Sequence, residues 1–235
     1  MGTYDGPGLR LVVFLQGCPF KCLYCANPDT ITFDGGKATD IEEIVTMAVN
    51  QKPFFGKKGG VTFSGGEPTA QATALIPLVK RLQENGINVC IDTNGGICNE
   101  ATEELYRLAD LVMLDIKEFN DARHMSLTGR SNTQTLKTAE LLKDTGTRMW
   151  LRYVLVPGIS DFEEDIRALG KHFGKGTGYD NIERVEILPY HTLGVNKYES
   201  LGMEYPLTGT PLNTKEQLDK AKSLFNEYFD CAVIN

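Results

Sequence analysis

The chain has 235 residues, and its 41% hydrophobic content is enough to fill one sizeable core. The net charge is −7 without any block of like charges, which excludes the basic stripe on which DNA or RNA binding depends. The first residues lack the basic and apolar segments of a signal peptide, and no apolar run is long enough to span a bilayer. We therefore expect a single domain over residues 1–235, a cytoplasmic location, and neither a nucleic acid nor a membrane as partner.

Six short apolar runs rich in β-branched residues predict buried strands, in chain order at residues 9–15, 60–63, 89–92, 111–116, 150–156 and 184–188. Apolar residues at helical spacing predict helices at 41–48, 75–82, 136–139, 162–173 and 218–228. Asp40 is expected to cap the first of these helices, and the pair Thr214 and Gln217 the last. Strands that alternate with helices favour an α/β fold of parallel units, either an open sheet or a barrel, and six units fall short of the eight in a closed barrel.

Cys18, Cys22 and Cys25 form a C-x3-C-x2-C triplet directly after the first predicted strand. Three thiolates can hold a metal centre, but structural zinc normally has four protein ligands, and the sequence places no fourth Cys or His close by. A four-iron cluster held by three cysteines has one iron that is free to bind another molecule. The other cysteines are scattered along the chain, so a disulfide framework is not expected.

The segment at 64–68, Ser-Gly-Gly-Glu-Pro, follows the second predicted strand. In parallel β/α folds, ligands gather at the carboxyl ends of the strands. Gly65 and Gly66 allow the backbone to approach a ligand closely, and Glu67 offers an acceptor for an ammonium group. The alternative is an ordinary turn between a strand and a helix, but beside the cysteine triplet we favour the binding interpretation.

Charged residues also lie at the ends of the later predicted strands. Asp92 and Asp115 follow apolar runs, where a carboxylate is costly unless it is hydrogen-bonded or bound to a cation. A hard cation with oxygen ligands is one solution, and routine capping of the next helix is the other. Arg152 lies on the fifth strand and His191 follows the sixth, so both are candidates for ligand contact. The other two histidines, at positions 124 and 172, are expected to be ordinary surface residues.

With these residues identified, the chain resembles the radical S-adenosylmethionine (SAM) enzymes, and within them the activating enzymes of pyruvate formate-lyase. The superfamily signature is the cysteine triplet with the aromatic Tyr24 before its last cysteine, together with the Gly-Gly-Glu run. The narrower resemblance covers nearly the whole chain and rests on segments at 5–10 (DGPGLR), 92–95 (DTNG), 111–117 (LVMLDIK), 150–153 (WLRY) with 156–158 (VPG), and 188–194 (LPYHTLG). Some activating enzymes of other glycyl radical enzymes carry a ferredoxin-like insert with extra cysteines, and this chain has none after the triplet, which favours the pyruvate formate-lyase branch.

The resemblance implies an α/β fold of the radical SAM type, a partial TIM-like barrel written (β/α)6. It also implies that Cys18, Cys22 and Cys25 hold a catalytic 4Fe-4S cluster, whose fourth iron is chelated by the amino and carboxylate groups of S-adenosylmethionine. Three further groups of site residues follow from it: the cofactor contacts Tyr24, Gly65, Gly66, Glu67, Lys117, Arg152 and His191; a monovalent cation site, for Na+ or K+, of Asp92, Thr93, Met113 and Asp115; and Asp5, near the peptide substrate.

The activity that this resemblance implies is the activation of pyruvate formate-lyase, an oxidoreductase function of anaerobic metabolism. Reductive cleavage of S-adenosylmethionine at the cluster would give a 5′-deoxyadenosyl radical that takes hydrogen from a glycine Cα of the partner. Reduced flavodoxin or ferredoxin would supply the electron, and the enzyme is expected to be a monomer. The alternatives are an activating enzyme of a different glycyl radical enzyme, such as a glycerol dehydratase or an anaerobic ribonucleotide reductase, and a non-catalytic iron-sulfur or zinc module.

Overall fold

Seven parallel strands form one sheet in the computed structural model, which describes residues 2–235. The strands are β1 Arg10–Leu15, β2 Gly60–Gly65, β3 Asn88–Thr93, β4 Leu111–Asp115, β5 Met149–Leu155, β6 Ile182–Pro189 and β7 Ala232–Ile234. Six of them coincide with the predicted apolar runs, because a strand that is covered on both faces is apolar along much of its length. The seventh, β7, was not predicted, because its three residues are too few to form a recognisable pattern.

Eight α-helices accompany the strands within the described range. They are α1 Ile41–Phe55, α2 Ala72–Glu84, α3 Glu100–Leu108, α4 Asp121–Thr128, α5 Thr133–Thr145, α6 Glu163–Phe173, α7 Val195–Ser200 and α8 Lys215–Asn226. The predicted caps are confirmed: Asp40 accepts from the backbone N–H of Glu42, and Thr214 and Gln217 form a capping box. The sequence did not predict α3, α4 and α7. Over residues 2–235, none of the helices combines the length and the apolar composition that crossing a bilayer would demand.

The order of the strands in the sheet is their order in the chain. Each right-handed crossover therefore places its helix on the same side, and this one-directional winding curves the sheet into part of a barrel. β5 shows the two sides: Met149, Leu151 and Tyr153 are buried in the main apolar core, while Trp150 and Arg152 line cavities on the inner side. The predicted partial barrel is confirmed, with one strand more than expected.

A buried arginine ties the amino-terminal ends of the first three strands together. Arg10 is fully buried, and its guanidinium group donates to Thr62 Oγ1 (2.6 Å), the carbonyl oxygen of Val61 (2.7 Å), Asn88 Oδ1 (3.0 Å) and the carbonyl oxygen of Pro7 (3.1 Å). A buried charge is tolerated when hydrogen bonds satisfy its donors. These bonds hold the segment before β1 against the sheet.

Candidate active site

A cavity of about 500 Å³ opens at the carboxyl ends of the strands. This volume lies within the range of small-molecule sites. Most of the predicted site residues line it, namely Cys18, Cys22, Tyr24, Cys25, Gly65, Gly66, Asp92, Thr93, Asp115, Lys117, Arg152 and His191. Glu67, Met113 and Asp5 are not among the lining residues. The fold thus brings residues from six strand ends and loops into one space.

The loop that carries the cysteine triplet is held against the last turn of α4. The backbone N–H of Lys21 donates to the carbonyl oxygen of Thr128 at 2.8 Å, and that of Leu23 donates to the carbonyl oxygen of Leu127 at 3.0 Å. Carbonyl groups in the last turn of a helix have no partner within the helix. Two of them are therefore available to fix the loop.

The three thiols are protonated at neutral pH as free groups, and their partial burial makes the thiolate form still less accessible. Burial raises the pKa of Cys18 to about 11 and that of Cys22 to about 12, and it also raises the pKa of Cys25. Iron binds the thiolate, so cluster binding must release these protons. Within residues 2–235, no group of three or more His, Cys, Asp and Glu side chains is arranged to hold a single metal ion. Three cysteine thiolates are a donor set that suits a four-iron cluster with one iron left free.

Arg152 is the centre of a group of charges on the inner side of the sheet. Its Nη1 donates to Asp92 Oδ1 at 2.7 Å, and its Nε lies 3.5 Å from Glu186 Oε2 and 3.9 Å from Asp115 Oδ1. Asp92 Oδ2 also accepts a hydrogen bond from Ser64 Oγ at 2.7 Å. Arg152 and Ser64 thus supply the partners that the carboxylate of Asp92 requires at this position.

Lys117 pairs with the second carboxylate of the predicted pair. Its Nζ lies 2.6 Å from Asp115 Oδ2, whereas Asp115 Oδ1 is buried without a hydrogen-bond partner among the described residues. Burial alone would lower the pKa of Lys117, but Asp115, Tyr24 and Cys22 raise it overall. The site therefore presents a fixed ammonium group and one unused acceptor, which suits a ligand that carries both a carboxylate and a positive charge.

Tyr24 and His191 complete the predicted contacts. Lys117 Nζ lies 5.6 Å from the centroid of the Tyr24 ring, and the Tyr24 hydroxyl group is buried without a partner in the part of the chain that the structure describes. His191 is exposed, and its Nδ1 accepts from the backbone N–H of Leu193 at 3.3 Å. In the neutral ring, Nε2 then carries the proton and can donate to a ligand.

The Gly-Gly-Glu run packs the end of β2 against the cysteine loop. A Cβ on Gly66 would lie 2.4 Å from the carbonyl oxygen of Gly17, and one on Gly65, whose φ is +109°, would lie 2.4 Å from the backbone nitrogen of Leu15. The backbone N–H of Glu67 donates to the same Gly17 oxygen at 2.7 Å. Besides lining the cavity, the two glycines allow this close contact between backbones.

The carboxylate of Glu67 is fully buried and accepts four hydrogen bonds. Oε1 accepts from the backbone N–H and Oγ1 of Thr69 (3.0 and 2.6 Å) and from Thr93 Oγ1 (2.6 Å), and Oε2 accepts from the backbone N–H of Asn94 (2.8 Å). Burial raises the pKa of Glu67, and these hydrogen bonds oppose that shift. The side chain joins the ends of β2 and β3, and its role as an ammonium acceptor stays a prediction.

Met113 and Asp5 lie beside the cavity rather than on its wall. Met113 is fully buried and packs in a small apolar cluster with Trp150. The backbone carbonyl oxygen of Asp5 accepts from Thr62 Oγ1 at 2.6 Å. The predicted cation contact of Met113 and the predicted peptide contact of Asp5 stay predictions.

Two further residues belong to the surroundings of the triplet. Asn94, directly after β3, lines the cavity, and its Nδ2 lies 3.5 Å from Cys18 Sγ. It lies in the segment 92–95 (DTNG) that contributes to the resemblance, but the sequence predicts no contact for its side chain. The expectation that His124 is a surface residue was wrong: it is fully buried, and its ring meets that of Phe20 edge to face at 5.3 Å. His172 is partly exposed and packs against Phe173.

Comparison with known proteins identifies relatives along almost the whole chain. The profile of the Radical SAM superfamily matches residues 12–169. The pyruvate formate-lyase-activating enzyme of Staphylococcus epidermidis is 43% identical over 234 residues, which cover 96% of this chain and 92% of the relative. The enzyme of the same name from Staphylococcus aureus is 44% identical over 215 residues, covering 88% of this chain and 84% of the relative.

Solved structures share the fold at lower sequence identity. A domain of a pyruvate-formate lyase-activating enzyme from Bacteroides vulgatus has a TM-score of 0.62 at 22% identity, over 75% of this chain and 99% of that one. Streptococcus suis SuiB bound to S-adenosylmethionine has a TM-score of 0.72 at 18% identity, over 97% of this chain and 50% of that one.

The partial barrel, with a cysteine triplet at the carboxyl ends of its strands, defines the class of radical SAM proteins. Within this superfamily, the chain belongs to the family of pyruvate formate-lyase-activating enzymes.

Proposed function

We propose that this chain activates pyruvate formate-lyase by generating a glycyl radical in it. The observation that carries the proposal is the cavity in which the three cysteines of the triplet share one space with Lys117, Arg152 and Asp115. Thiols suit an iron-sulfur cluster, and the fixed charges suit an amino acid group bound to it. The names of the relatives in the two staphylococci support pyruvate formate-lyase as the target.

The residues fit a 4Fe-4S cluster with S-adenosylmethionine. Cys18, Cys22 and Cys25 would hold three irons, and the fourth would take the amino and carboxylate groups of the methionine part. When bound, this pair supplies hydrogen abstraction from a glycine Cα by a 5′-deoxyadenosyl radical.

The chain's own part is to bind and orient the cofactor. Lys117 and Arg152, both charged, provide fixed donors for the carboxylate group, and the segment Gly65 to Glu67 would surround the amino group. Burial would lower the pKa of Arg152, but Asp92, Asp115 and Glu186 raise it, so its guanidinium group stays charged. Tyr24 would meet the adenine mainly through its backbone, and His191 would donate from the rim. These contacts would hold the reacting carbon in place and keep water out.

A monovalent cation, Na+ or K+, is proposed beside the methionine carboxylate, at Asp92, Thr93, Met113 and Asp115. The unused acceptor Oδ1 of Asp115 supports it. The test is the affinity of the cluster-loaded protein for S-adenosylmethionine in sodium, potassium or tetramethylammonium chloride. We expect tighter binding with the two metal cations, and equal affinity in all three salts would contradict the cation site.

The remaining parts of the proposal rest on the sequence and on the resemblance. They are reduced flavodoxin or ferredoxin as electron donor, a monomer in a cytoplasmic location, one domain over residues 1–235, and a contact of Asp5 with the partner's peptide.

The test is an anaerobic electron paramagnetic resonance spectrum of the reduced, cluster-loaded protein mixed with S-adenosylmethionine and pyruvate formate-lyase. A glycyl radical doublet is the expected result, and Ala at any cysteine of the triplet should abolish it together with cofactor cleavage. Formation of 5′-deoxyadenosine without a doublet would point to another glycyl radical enzyme as target. Neither product, with the cluster intact, would favour a non-catalytic iron-sulfur module.

A further inference from the structure

The side-chain amide of Asn94 points its nitrogen at a cysteine of the triplet. Asn94 Nδ2 lies 3.5 Å from Cys18 Sγ, and Asn94 Oδ1 accepts from the backbone N–H of Gly96 at 2.8 Å. The second bond settles the orientation of the amide, because exchanging its oxygen and nitrogen would turn two N–H groups toward each other. The group that faces the sulfur is therefore a donor.

The backbone of Asn94 is also fixed on both sides. Its N–H donates to Glu67 Oε2 at 2.8 Å, and its carbonyl oxygen accepts from Thr135 Oγ1 at 2.8 Å. Both partners are buried, and Asn94 itself is only 7% exposed. A donor anchored in this way loses little conformational freedom when it forms its hydrogen bond.

Asn94 differs from the other donors near the triplet because it acts through a side chain. The backbone N–H groups of Phe20 and Asn27 only oppose the rise in pKa that burial causes at Cys18 and Cys25. In the part of the chain that the structure describes, no other side chain donates a hydrogen bond to a sulfur of the triplet. A substitution at position 94 can therefore remove one sulfur hydrogen bond and leave the others in place.

We propose that Asn94 raises the reduction potential of the cluster through an N–H···S hydrogen bond to Cys18. The inference rests on the proposed function for the presence of the cluster and goes beyond it by assigning the residue that tunes it. One added electron increases the negative charge on the cluster and its sulfur ligands, so a donor at Cys18 stabilises the reduced form more than the oxidised form. The electron comes from an external reductant, and Asn94 shifts only the equilibrium.

The experiment is an anaerobic redox titration of the cluster-loaded full chain, with titanium(III) citrate as reductant and viologen mediators, read from the electron paramagnetic resonance signal of the reduced cluster. Asn94→Ser is the test variant, because a serine hydroxyl can still accept from the Gly96 N–H but is too short to reach the sulfur. We expect the equilibrium constant for reduction to fall about tenfold, which is about 59 mV for a one-electron couple.

The matched control is Thr138→Val, which removes a buried hydrogen bond to the neighbouring Gly95 carbonyl oxygen but leaves every hydrogen bond of Asn94 in place. Its potential should equal that of the unsubstituted protein. An unchanged potential in Asn94→Ser, with iron and sulfide contents that show an intact cluster, would overturn the inference. Absence of a cluster from the unsubstituted protein would instead overturn the proposed function.

A second measurement uses the unsubstituted protein, so it does not depend on whether a variant can still load the cluster. Asparagine labelled with nitrogen-15 at the side-chain amide only is incorporated into the unsubstituted protein, and the reduced cluster is examined by pulsed electron paramagnetic resonance. A nitrogen-15 hyperfine coupling is expected, because the N–H···S bond places the amide nitrogen next to a cluster ligand. A spectrum without such a coupling would contradict the hydrogen bond and the inference with it.

Discussion

Gly66 is confined by the backbone of the cysteine loop. A Cβ at this position would lie 2.4 Å from the carbonyl oxygen of Gly17, a backbone atom that can move only with the loop. We expect Gly66→Ala to displace the loop next to Cys18, at an overpacking cost of about 1–3 kcal/mol. The measured result should be a lower iron and sulfide content per chain after anaerobic reconstitution.

The control for this substitution is Gly176→Ala. Gly176 has a φ of +79°, so alanine is strained there too, but its Cβ would meet no atom within 4 Å. This variant should load as much iron as the unsubstituted protein. If both variants bind equal amounts of iron, the close contact of Gly66 with the Gly17 carbonyl oxygen does not determine the position of the cysteine loop.

The positive charge of Arg152 compensates the negative charges of three nearby carboxylates. Arg152→Gln leaves Asp92, Asp115 and Glu186 close together without their shared cation. Breaking a buried ion pair from one side typically costs about 3–5 kcal/mol. We expect a loss of this size in the free energy of unfolding, measured by anaerobic denaturant titration of the cluster-loaded protein.

Arg148 offers a matched comparison, because it precedes β5 and pairs with Glu183 at the surface. Its side chain is 57% exposed, and an exposed ion pair contributes at most about 1 kcal/mol. Arg148→Gln should therefore be nearly neutral. If the two variants lose similar amounts of unfolding free energy, the buried carboxylates around Arg152 do not need its charge more than a surface carboxylate needs that of Arg148.

At the scale of elements, α4 supports the cysteine loop through packing as well as through its last carbonyl groups. Phe20, between two cysteines of the triplet, is 2% exposed and meets the buried ring of His124. Phe20→Ala would remove this contact, and deletion of a buried aromatic ring costs about 3–5 kcal/mol. We expect a chelator to remove iron from the variant at least tenfold faster than from the unsubstituted protein. The rate is measured as the loss of the visible absorption of the cluster.

Met125 lies on the same helix but is 50% exposed, so Met125→Ala serves as the control. Its rate of iron loss should match that of the unsubstituted protein. Equal rates for Phe20→Ala and the control would mean that α4 does not stabilise the loaded loop through this ring.

The same elements show what the sequence could predict. The six longer strands were predicted because each is an apolar run between turn residues. The helix α4 was not predicted, because it buries only one large apolar side chain, Leu127, so helical periodicity is not visible there. The helix α3 was missed although Ala101, Leu105 and Leu108 recur at helical spacing, because the segment is short and rich in charged residues. The burial of His124 had no signal of its own.

The candidate site was largely predictable for a different reason. Parallel strands bring their carboxyl ends together, so polar residues that follow predicted strands are expected to meet, and most of them line one cavity. The hydrogen bonds of Glu67 to Thr93 and Asn94 join segments about 26 residues apart. Such partners depend on the packing of β2 beside β3, which a local pattern does not specify.

At the scale of the whole molecule, the inner side of the partial barrel carries several charged side chains beside the small apolar cluster of Met113 and Trp150. Closed barrels of eight units fill this space with branched apolar side chains. Here Arg10, Asp92, Arg152 and Glu186 occupy it, each with partners of opposite charge or neutral hydrogen-bonding groups. An incomplete barrel leaves part of this side open, and Asp92 and Arg152 line the cavity there.

Glu118 links the stability of the whole chain to pH. It follows Lys117 after β4, is fully buried, and accepts from the backbone N–H of Phe119 (2.6 Å) and from the Tyr153 hydroxyl group (3.2 Å). Burial raises its pKa to about 7 from an ordinary value of 4.5. The folded state therefore holds this proton more tightly than the unfolded state does.

A raised carboxyl pKa stabilises the fold fully below pH 4.5, and this contribution is lost as the pH rises through about 7. The difference of pKa corresponds to roughly 3 kcal/mol at about 1.4 kcal/mol per unit. Glu118→Gln removes the titration, so its free energy of unfolding should fall less than that of the unsubstituted protein across this window. The measurement is anaerobic denaturation of the cluster-loaded protein at several pH values, with Glu199→Gln, exposed on α7, as the control that should follow the unsubstituted curve. Parallel curves for all three proteins would show that the pKa of Glu118 is the same in the folded and unfolded chain, and that its hydrogen bonds offset its burial.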